Sequence, residues 1–200
     1  MSEITSSYTR TFLALAVSDE ARRALGRLRT SLAQALPSVR FADLAGVHLT
    51  LAFLGSLDVG QLALATEAAQ AVAKGNAPMQ LALGRLGIFG PPHAPRVLWV
   101  GVGGAMDHLL ALQRRLADEL AARGFPRESR PFAAHLTLAR LSRPLSPDEQ
   151  IRLQETLVRP MAHDASWQIT TLDVMASELR PTGARYTLLR ACPLGAGKEK

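Results

Sequence analysis

Hydrophobic and polar positions follow two different periods along this chain of 200 residues. Apolar runs bounded by turn residues are typical of strands, and they lie at 10–17, 47–55, 78–89, 96–102, 134–141 and 166–179. Amphipathic stretches between these runs predict helices, at 18–36, 58–74, 106–123 and 147–159. Ser18 is a typical N-cap for the first helix, with Asp19 and Glu20 in its first turn. The predicted order is strand, helix, strand, helix, strand, and the same series then repeats.

The repetition indicates a duplicated unit whose two copies are related by a pseudo-twofold axis. We expect one domain spanning 1–194, with lobes at about 9–90 and 95–180 and an added closing strand, "RYTLLRAC", at 185–192. The last residues, "GAGKEK" at 195–200, predict a disordered tail.

The composition indicates a globular protein of a reducing compartment. At this length, 48% hydrophobic residues suffice for a core without metals or disulfides. Cys192 is the single cysteine, so no disulfide can form within the chain. The opening "MSEITSSYTR" lacks the pattern of a secretion signal, and no apolar stretch reaches the roughly 20 residues that a membrane helix needs. We therefore expect a cytoplasmic protein that does not associate with membranes.

The net charge is +6, from 23 lysines and arginines against 17 acidic residues. Lys74, Lys198 and Lys200 are the only lysines, so the positive charge is nearly all arginine. Guanidinium groups suit phosphate recognition because they donate paired hydrogen bonds. The alternative is that the arginines follow genome composition and only solvate the surface.

The sequence "HLTLA" occurs twice, at 48–52 and at 135–139. Side chains alternate between the two faces of a strand. In the first HLTLA motif, His48 and Thr50 are therefore predicted on one face, and Leu49, Leu51 and Phe53 on the other.

The second HLTLA motif gives the same pattern, with His135 and Thr137 on one face and Leu136 and Leu138 on the other. One histidine beside a threonine on a strand is usually a structural residue. Two identical copies in corresponding positions of a duplicated unit favour a shared site, if the two strands lie side by side.

Two histidines and two threonines match the needs of phosphate ester cleavage. Histidine exchanges protons near neutral pH, so one imidazole can take a proton from a nucleophile while the other protonates the departing oxygen. Threonine hydroxyls can donate to oxygens that carry negative charge.

Other chemistries fit the sequence less well. A metal site is disfavoured because neither HLTLA motif carries a carboxylate or a second histidine at ligand spacing. No G-x-S-x-G nucleophile motif occurs. The stretch "GVGGAMD" lacks the third glycine of a dinucleotide-binding loop and predicts a tight turn. The histidines outside the duplication are interpreted as surface or capping residues: His93, His108 and His163.

The sequence resembles the two-histidine (2H) phosphoesterases, and within them the bacterial and archaeal RNA 2′,3′-cyclic phosphodiesterases, formerly called 2′-5′ RNA ligases. The likeness covers most of the chain, through "RTFLAL", "HLTLAFLG", "GRLGIFGPPHAPRVLWVGV", "RPFAAHLTLAR" and "SELRPTGARYTLL". The resemblance implies a bilobal α+β fold, in which two antiparallel sheets with outer helices flank a central cleft, and it implies no metal and no cofactor.

Residue by residue, the resemblance makes His48 the proton donor to the leaving 3′ oxygen and His135 the proton acceptor from water. Thr50 and Thr137 match the residues that bind phosphate oxygens, and Arg140 matches a further phosphate contact. Two aromatic residues match family segments and are candidates for base stacking, although core packing is the favoured interpretation: Phe12 and Phe89. The family often has proline before the second histidine, a polar residue before that and an aromatic in the "RACPL" segment, where this chain has Ala134, Ala133 and no aromatic.

The expected activity is hydrolysis of terminal RNA 2′,3′-cyclic phosphates to 2′-phosphomonoesters by a monomer, with reversible 2′-5′ RNA ligation left open. Two alternatives also stay open. One is a cyclic phosphodiesterase acting on small nucleotides or on ADP-ribose cyclic phosphate. The other is a non-catalytic protein that binds RNA ends.

Overall fold

A computed structural model of the chain describes residues 8–158, 165–180 and 183–195. Eight strands and four helices lie in these ranges. The strands are β1 (Thr9–Ala16), β2 (His48–Leu57), β3 (Met79–Phe89), β4 (Val97–Gly104), β5 (His135–Arg140), β6 (Ser166–Ile169), β7 (Thr171–Arg180) and β8 (Gly183–Pro193). The helices are α1 (Asp19–Ala35), α2 (Val59–Lys74), α3 (Met106–Ala122) and α4 (Pro147–Val158), and a short 3₁₀ helix spans Leu44–Gly46.

Two of the helices begin with side-chain caps, of which the one at Ser18 was predicted. The Ser18 hydroxyl accepts a hydrogen bond from the Ala21 N–H at the start of α1, as predicted. Helix α2 begins with a capping box in which Asp58 and Gln61 each accept a hydrogen bond from the other's N–H. Local sequence therefore fixes where both helices begin.

The predicted strand at 166–179 is two strands rather than one. Trp167 and Ile169 are buried in β6, whereas Leu172 and Val174 are buried in β7, so the alternation changes phase at the junction. Strand β6 pairs with β3, and β7 pairs with β1 and β8. The chain crosses between distant parts of the sheet at this phase change.

All eight strands form one antiparallel sheet, in the order β6-β3-β4-β5-β2-β1-β7-β8. This corrects the prediction of two separate sheets. Strands β2 and β5 meet through one residue pair, Leu49 with Leu136, which joins the two four-stranded halves of the sheet at its centre. Pairing satisfies backbone groups that would otherwise be buried without partners. The bilobal division, its pseudo-twofold axis and the lobe boundaries stay predictions.

The third strand of each sequence half lies beside the other half. Strand β3 pairs with β4 and β6, and β7 pairs with β1. The two halves of the sequence are therefore interleaved in the sheet.

The helices cover the leucine face of the sheet. Leu49, Leu51, Leu136 and Leu138 are 4% exposed or less and belong to one hydrophobic cluster with the buried residues of all four helices. The opposite face, which carries the histidines and threonines of both HLTLA motifs, is named the histidine face. Each motif thus has the predicted division between a core side and a second side.

Several predictions fall partly on residues outside the described ranges. These are the end of the fourth helix at Arg159, the histidine at 163 with its neighbour Asp164, and the tail from residue 196 onward. At the edge of the described part, the Gly195 N–H donates to the carbonyl of Ala73 in α2. Within the described ranges, none of the helices has the length and apolar character needed to cross a membrane.

Candidate active site

The two HLTLA motifs lie side by side, because β2 and β5 are neighbours in the sheet. One step along the antiparallel register from the Leu49–Leu136 pair, His48 lies opposite Thr137 and Thr50 lies opposite His135. Residues opposite each other in an antiparallel pair project from the same face. The structure therefore brings the four predicted side chains together on the histidine face.

Both histidines are held by the same main-chain contact. The Nδ1 atom of His48 lies 2.7 Å from the carbonyl oxygen of Gly46, and that of His135 lies 2.7 Å from the carbonyl oxygen of Ala133. A carbonyl oxygen only accepts hydrogen bonds, so each Nδ1 carries the proton and donates. This tautomer leaves both Nε2 atoms without a proton in the neutral rings, free to exchange one with a ligand.

The contact at Ala133 bears on the departure from the family pattern. It is made by the main-chain carbonyl, which every residue type provides. Alanine at 133 therefore keeps the hydrogen bond that orients His135.

Aromatic rings enclose the His48 imidazole. The ring of Phe12 stacks on it with centroids 4.6 Å apart, and the ring of Tyr186 meets it edge-on at 4.8 Å. Phe12 is 1% exposed, so it supports the histidine rather than facing a ligand. Tyr186 lies on the closing strand and was not predicted as a site residue; the alternation of "RYTLL" carries too weak a signal to single it out.

His135 has its own aromatic neighbours. Phe89 meets its ring edge-on with centroids 4.8 Å apart, and Trp99 lies at 6.2 Å. Phe89 is half-buried and also contacts Trp99 at 5.2 Å, which agrees with its interpretation as a packing residue.

Burial lowers the pKa of His48 below its ordinary value of 6.5. The hydrogen bond to the Gly46 carbonyl raises the pKa in part, and the nearby charge of His135 lowers it further. The electrostatic effect of one imidazole on the other agrees with their common location on the histidine face.

A β-bulge brings Arg140 onto the histidine face. Strict alternation would place this residue with Leu136 and Leu138 on the core side. Instead Thr137 pairs with Trp99 and Ala139 pairs with Leu98, which leaves Leu138 as the extra residue. Arg140 then pairs with Val97 on the face that Thr137 shares, and its side chain is exposed.

The same bulge occurs at Leu51 of the first HLTLA motif, and it corrects the prediction for Phe53. Thr50 pairs with Ala14 and Ala52 with Leu13, so Leu51 is the extra residue. Phe53 pairs with Phe12, whose ring stacks on His48, so Phe53 lies on the histidine face, and it is 67% exposed. The duplicated positions after the two bulges thus carry an aromatic ring and a guanidinium.

The remaining candidates lie away from this arrangement. His93 lies in an exposed turn, and His108 lies in α3 outside both HLTLA motifs. The "GVGG" segment is the end of β4, and Gly104 has a φ of 89°, as a tight turn before α3 requires. Among the described residues, no cluster of three or more histidine, cysteine or acidic side chains is arranged to hold a metal ion.

A family comparison agrees with this geometry. The model of the 2′-5′ RNA ligase superfamily matches residues 17–180, which include both HLTLA motifs and Arg140. The chain belongs to this superfamily.

Relatives of this superfamily member are named RNA 2′,3′-cyclic phosphodiesterases. One from Geobacillus stearothermophilus is 39% identical over 129 residues, which are 64% of this chain and 41% of that protein. One from Methanothermobacter thermautotrophicus is 29% identical over 89% of this chain and 95% of its own length. The chain thus spans less than half of the first protein and nearly all of the second.

Solved structures share the fold. The crystal structure of Escherichia coli LigT complexed with 3′-AMP superposes with a TM-score of 0.75 and 25% identity, covering 94% of this chain and 99% of LigT. The mixed α/β fold of this superfamily member, with its curled antiparallel sheet and four helices, is therefore that of LigT-like proteins.

Proposed function

We propose that this chain hydrolyses the 2′,3′-cyclic phosphate at RNA ends to a 2′-phosphomonoester, without a metal ion. The observation that carries the proposal is the symmetric arrangement of His48 opposite Thr137 and His135 opposite Thr50, with both Nδ1 atoms engaged by carbonyls. Two free Nε2 atoms and two hydroxyls then face a single ligand. The names of the relatives support RNA cyclic phosphate as that ligand.

The chemistry is an in-line displacement at phosphorus. Water attacks and forms the new P–O bond while its proton passes to Nε2 of His135. The bond from phosphorus to O3′ breaks, and Nε2 of protonated His48 gives its proton to that oxygen. The product carries the phosphate on O2′, and one proton has entered and one has left the pair of histidines.

The role of His48 as the acid depends on the bound substrate. Burial lowers the pKa of His48, so the ring needs the negative charge of the phosphate to carry a proton near neutral pH. Two nearby cationic rings would repel each other, which favours one protonated and one neutral histidine.

The remaining side chains of the histidine face suit substrate binding. Thr50 and Thr137 donate to the non-bridging phosphate oxygens, and Arg140 adds a positive charge beside Thr137. Phe53 presents an exposed ring on the same face, where a nucleobase can stack. One chain carries the whole set, so a monomer suffices.

The test is hydrolysis of an oligoribonucleotide that ends in a 2′,3′-cyclic phosphate, with identification of the monoester formed. We expect His48→Ala and His135→Ala each to lower kcat/KM by roughly 10²-fold or more, the usual scale for loss of a general acid or base. His93→Ala is the matched control and should retain activity. Full activity in either motif variant contradicts the assignment.

Further arms of this experiment separate the alternatives. Activity should persist in excess EDTA, and loss on chelation favours a metal mechanism. Faster turnover of mononucleotide cyclic phosphates or of ADP-ribose cyclic phosphate than of RNA favours a small-molecule enzyme. Binding without turnover in the wild type favours an RNA-end binder. Product formation from a 5′-hydroxyl oligonucleotide in place of water measures 2′-5′ ligation.

A further inference from the structure

A third β-bulge lies in β3, on the far side of β4 from the second HLTLA motif. Leu83 pairs with Val102 and Leu86 pairs with Val100, so residues 84 and 85 together face the single residue Gly101. The core-facing pairs on either side of the bulge direct Arg85 to the histidine face. The Arg85 side chain is exposed.

In this row of the sheet the residue between Arg85 and His135 is a glycine, and the edge of the Trp99 indole lies 3.5 Å from where its Cβ would be. Gly101 pairs with His135 across β4 and β5, and it has no side chain. Two strand spacings, about 10 Å, lie between the Cα atoms of the arginine and the histidine. An extended arginine side chain spans more than half of that distance.

The Arg85 guanidinium is free to take a ligand. It makes no hydrogen bond and no ion pair with any residue in the described ranges, unlike Arg22, Arg123, Arg127 and Arg130, which pair with carboxylates. Arginine's planar fork of donors is suited to phosphate oxygens. Phosphate is also the charge that an RNA substrate repeats along its backbone.

The reacting cyclic phosphate is already engaged elsewhere. The histidines, threonines and Arg140 lie on β2 and β5, whereas Arg85 lies two strands away from His135. A mononucleotide cyclic phosphate has no second phosphate to offer at that distance. An oligonucleotide has one, in the phosphodiester that links its terminal nucleotide to the rest of the chain.

We propose that Arg85 forms a second phosphate subsite, which binds the RNA backbone next to the reacting end and favours oligonucleotides over mononucleotides. This inference rests on the proposed function. It assigns to the β3 bulge the role of placing a cation beside the active site.

The experiment compares kcat/KM for an oligoribonucleotide cyclic phosphate with kcat/KM for adenosine 2′,3′-cyclic phosphate. In Arg85→Ala the ratio of the two should fall roughly tenfold, the scale of one charged hydrogen bond. Arg85→Lys should restore part of the ratio. Arg114→Ala, which removes an exposed arginine from α3 behind the leucine face, is the matched control and should leave the ratio unchanged.

A neutral methylphosphonate linkage next to the terminal nucleotide tests whether the contact is to phosphate. In the wild type, the methylphosphonate should lower kcat/KM by about the same factor as Arg85→Ala lowers it for the unmodified oligonucleotide. In Arg85→Ala, the methylphosphonate should lower kcat/KM little further. An unchanged ratio in Arg85→Ala, or additive losses from the variant and the methylphosphonate, overturns the inference.

Failure of the proposed function is distinguishable from failure of the subsite. If the wild type turns over neither substrate, the proposed function fails, and the subsite is then tested by binding. The probe is an oligonucleotide ending in a 2′-phosphate, compared with adenosine 2′-phosphate. Arg85→Ala should weaken binding of the oligonucleotide only. It should also reduce the slope of log K against log salt concentration by about 0.7, the value for one phosphate contact to a single strand. Equal weakening of both probes contradicts the subsite.

Discussion

At the scale of single residues, the protonation of His48 depends on what surrounds its ring. Phe12 and Tyr186 enclose the ring, and burial is the largest cause of its lowered pKa. The charge of His135 acts in the same direction, while the Gly46 carbonyl opposes both. The resting site therefore favours neutral His48 near pH 7, and an anionic ligand favours its protonated form.

We expect NMR titration to give His48 a pKa below 6.5 in the free protein. Tyr186→Ala should raise this pKa, because it exposes the ring to water and removes part of the largest cause. Tyr186→Phe keeps the enclosing ring and is the control, in which the titration should not move. A wild-type value at or above 6.5 contradicts the prediction, as does an unchanged value in Tyr186→Ala.

Single residues also show where sequence reasoning stops. Alternation correctly predicted the faces of His48, Thr50, His135 and Thr137, because no bulge interrupts those stretches. It failed at Phe53, where the extra residue Leu51 shifts the phase. Both HLTLA motifs carry the same bulge, so comparison of the two copies could not reveal it.

At the scale of elements, a buried carboxylate ties α4 to the loop that precedes β2. Glu149 is 4% exposed and accepts hydrogen bonds from the N–H and hydroxyl of Ser38 and from the N–H of Ser146. These donors lower its pKa from 4.5 to about 2, against the opposing effect of burial. The same loop contains Gly46, whose carbonyl orients His48.

Because the folded-state pKa of Glu149 is depressed, its contribution to stability is present above pH 4.5 and is lost as the pH falls towards 2. At pH 7 this contribution is at most about 3 kcal/mol, from about 1.4 kcal/mol per pKa unit before screening by solvent. We expect Glu149→Gln to lower the free energy of unfolding at pH 7 by about 2–3 kcal/mol and to flatten its fall between pH 4.5 and 2.5. Denaturant unfolding across this range measures both effects.

The control is Glu155→Gln, which changes an exposed carboxylate on the same helix. It should change stability by less than about 0.5 kcal/mol, as is usual for surface substitutions. If the free energy of unfolding falls between pH 4.5 and 2.5 in both variants as it does in the wild type, the Glu149 hydrogen bonds do not govern stability in acid.

Elements were predictable where local chemistry defines them. Capping residues and apolar periodicity placed the four helices, including the start of α1 at Ser18. The division of 166–179 into β6 and β7 was missed, although the shift from Trp167 and Ile169 to Leu172 and Val174 marks it in the sequence. A phase change alone does not say that the chain crosses the sheet.

At the scale of the whole molecule, sheet order could not be predicted, since every strand has a similar apolar pattern and pairing is a long-range choice. The main feature that was missed is the exchange of β3 and β7 between the two sequence halves. Both partners of β3 in the described ranges, β4 and β6, come from the second half of the sequence. Strand β7 lies between β1, from the first half, and the closing strand β8. Neither sequence half can therefore complete its own sheet.

This interleaving predicts that the described fold unfolds as one cooperative unit. Trp99 on β4 and Trp167 on β6 report on one end of the sheet, whereas far-UV circular dichroism reports on all helices and strands. In a urea titration, tryptophan fluorescence and circular dichroism should give the same midpoint and the same slope. Lobes that unfold separately would give two midpoints, and Trp167→Phe, which leaves Trp99 as the only reporter, would then follow one of them alone. Coincident transitions are expected because the two halves of the sheet meet at the Leu49–Leu136 junction and share one hydrophobic cluster, so separating them breaks the junction and exposes the core of both.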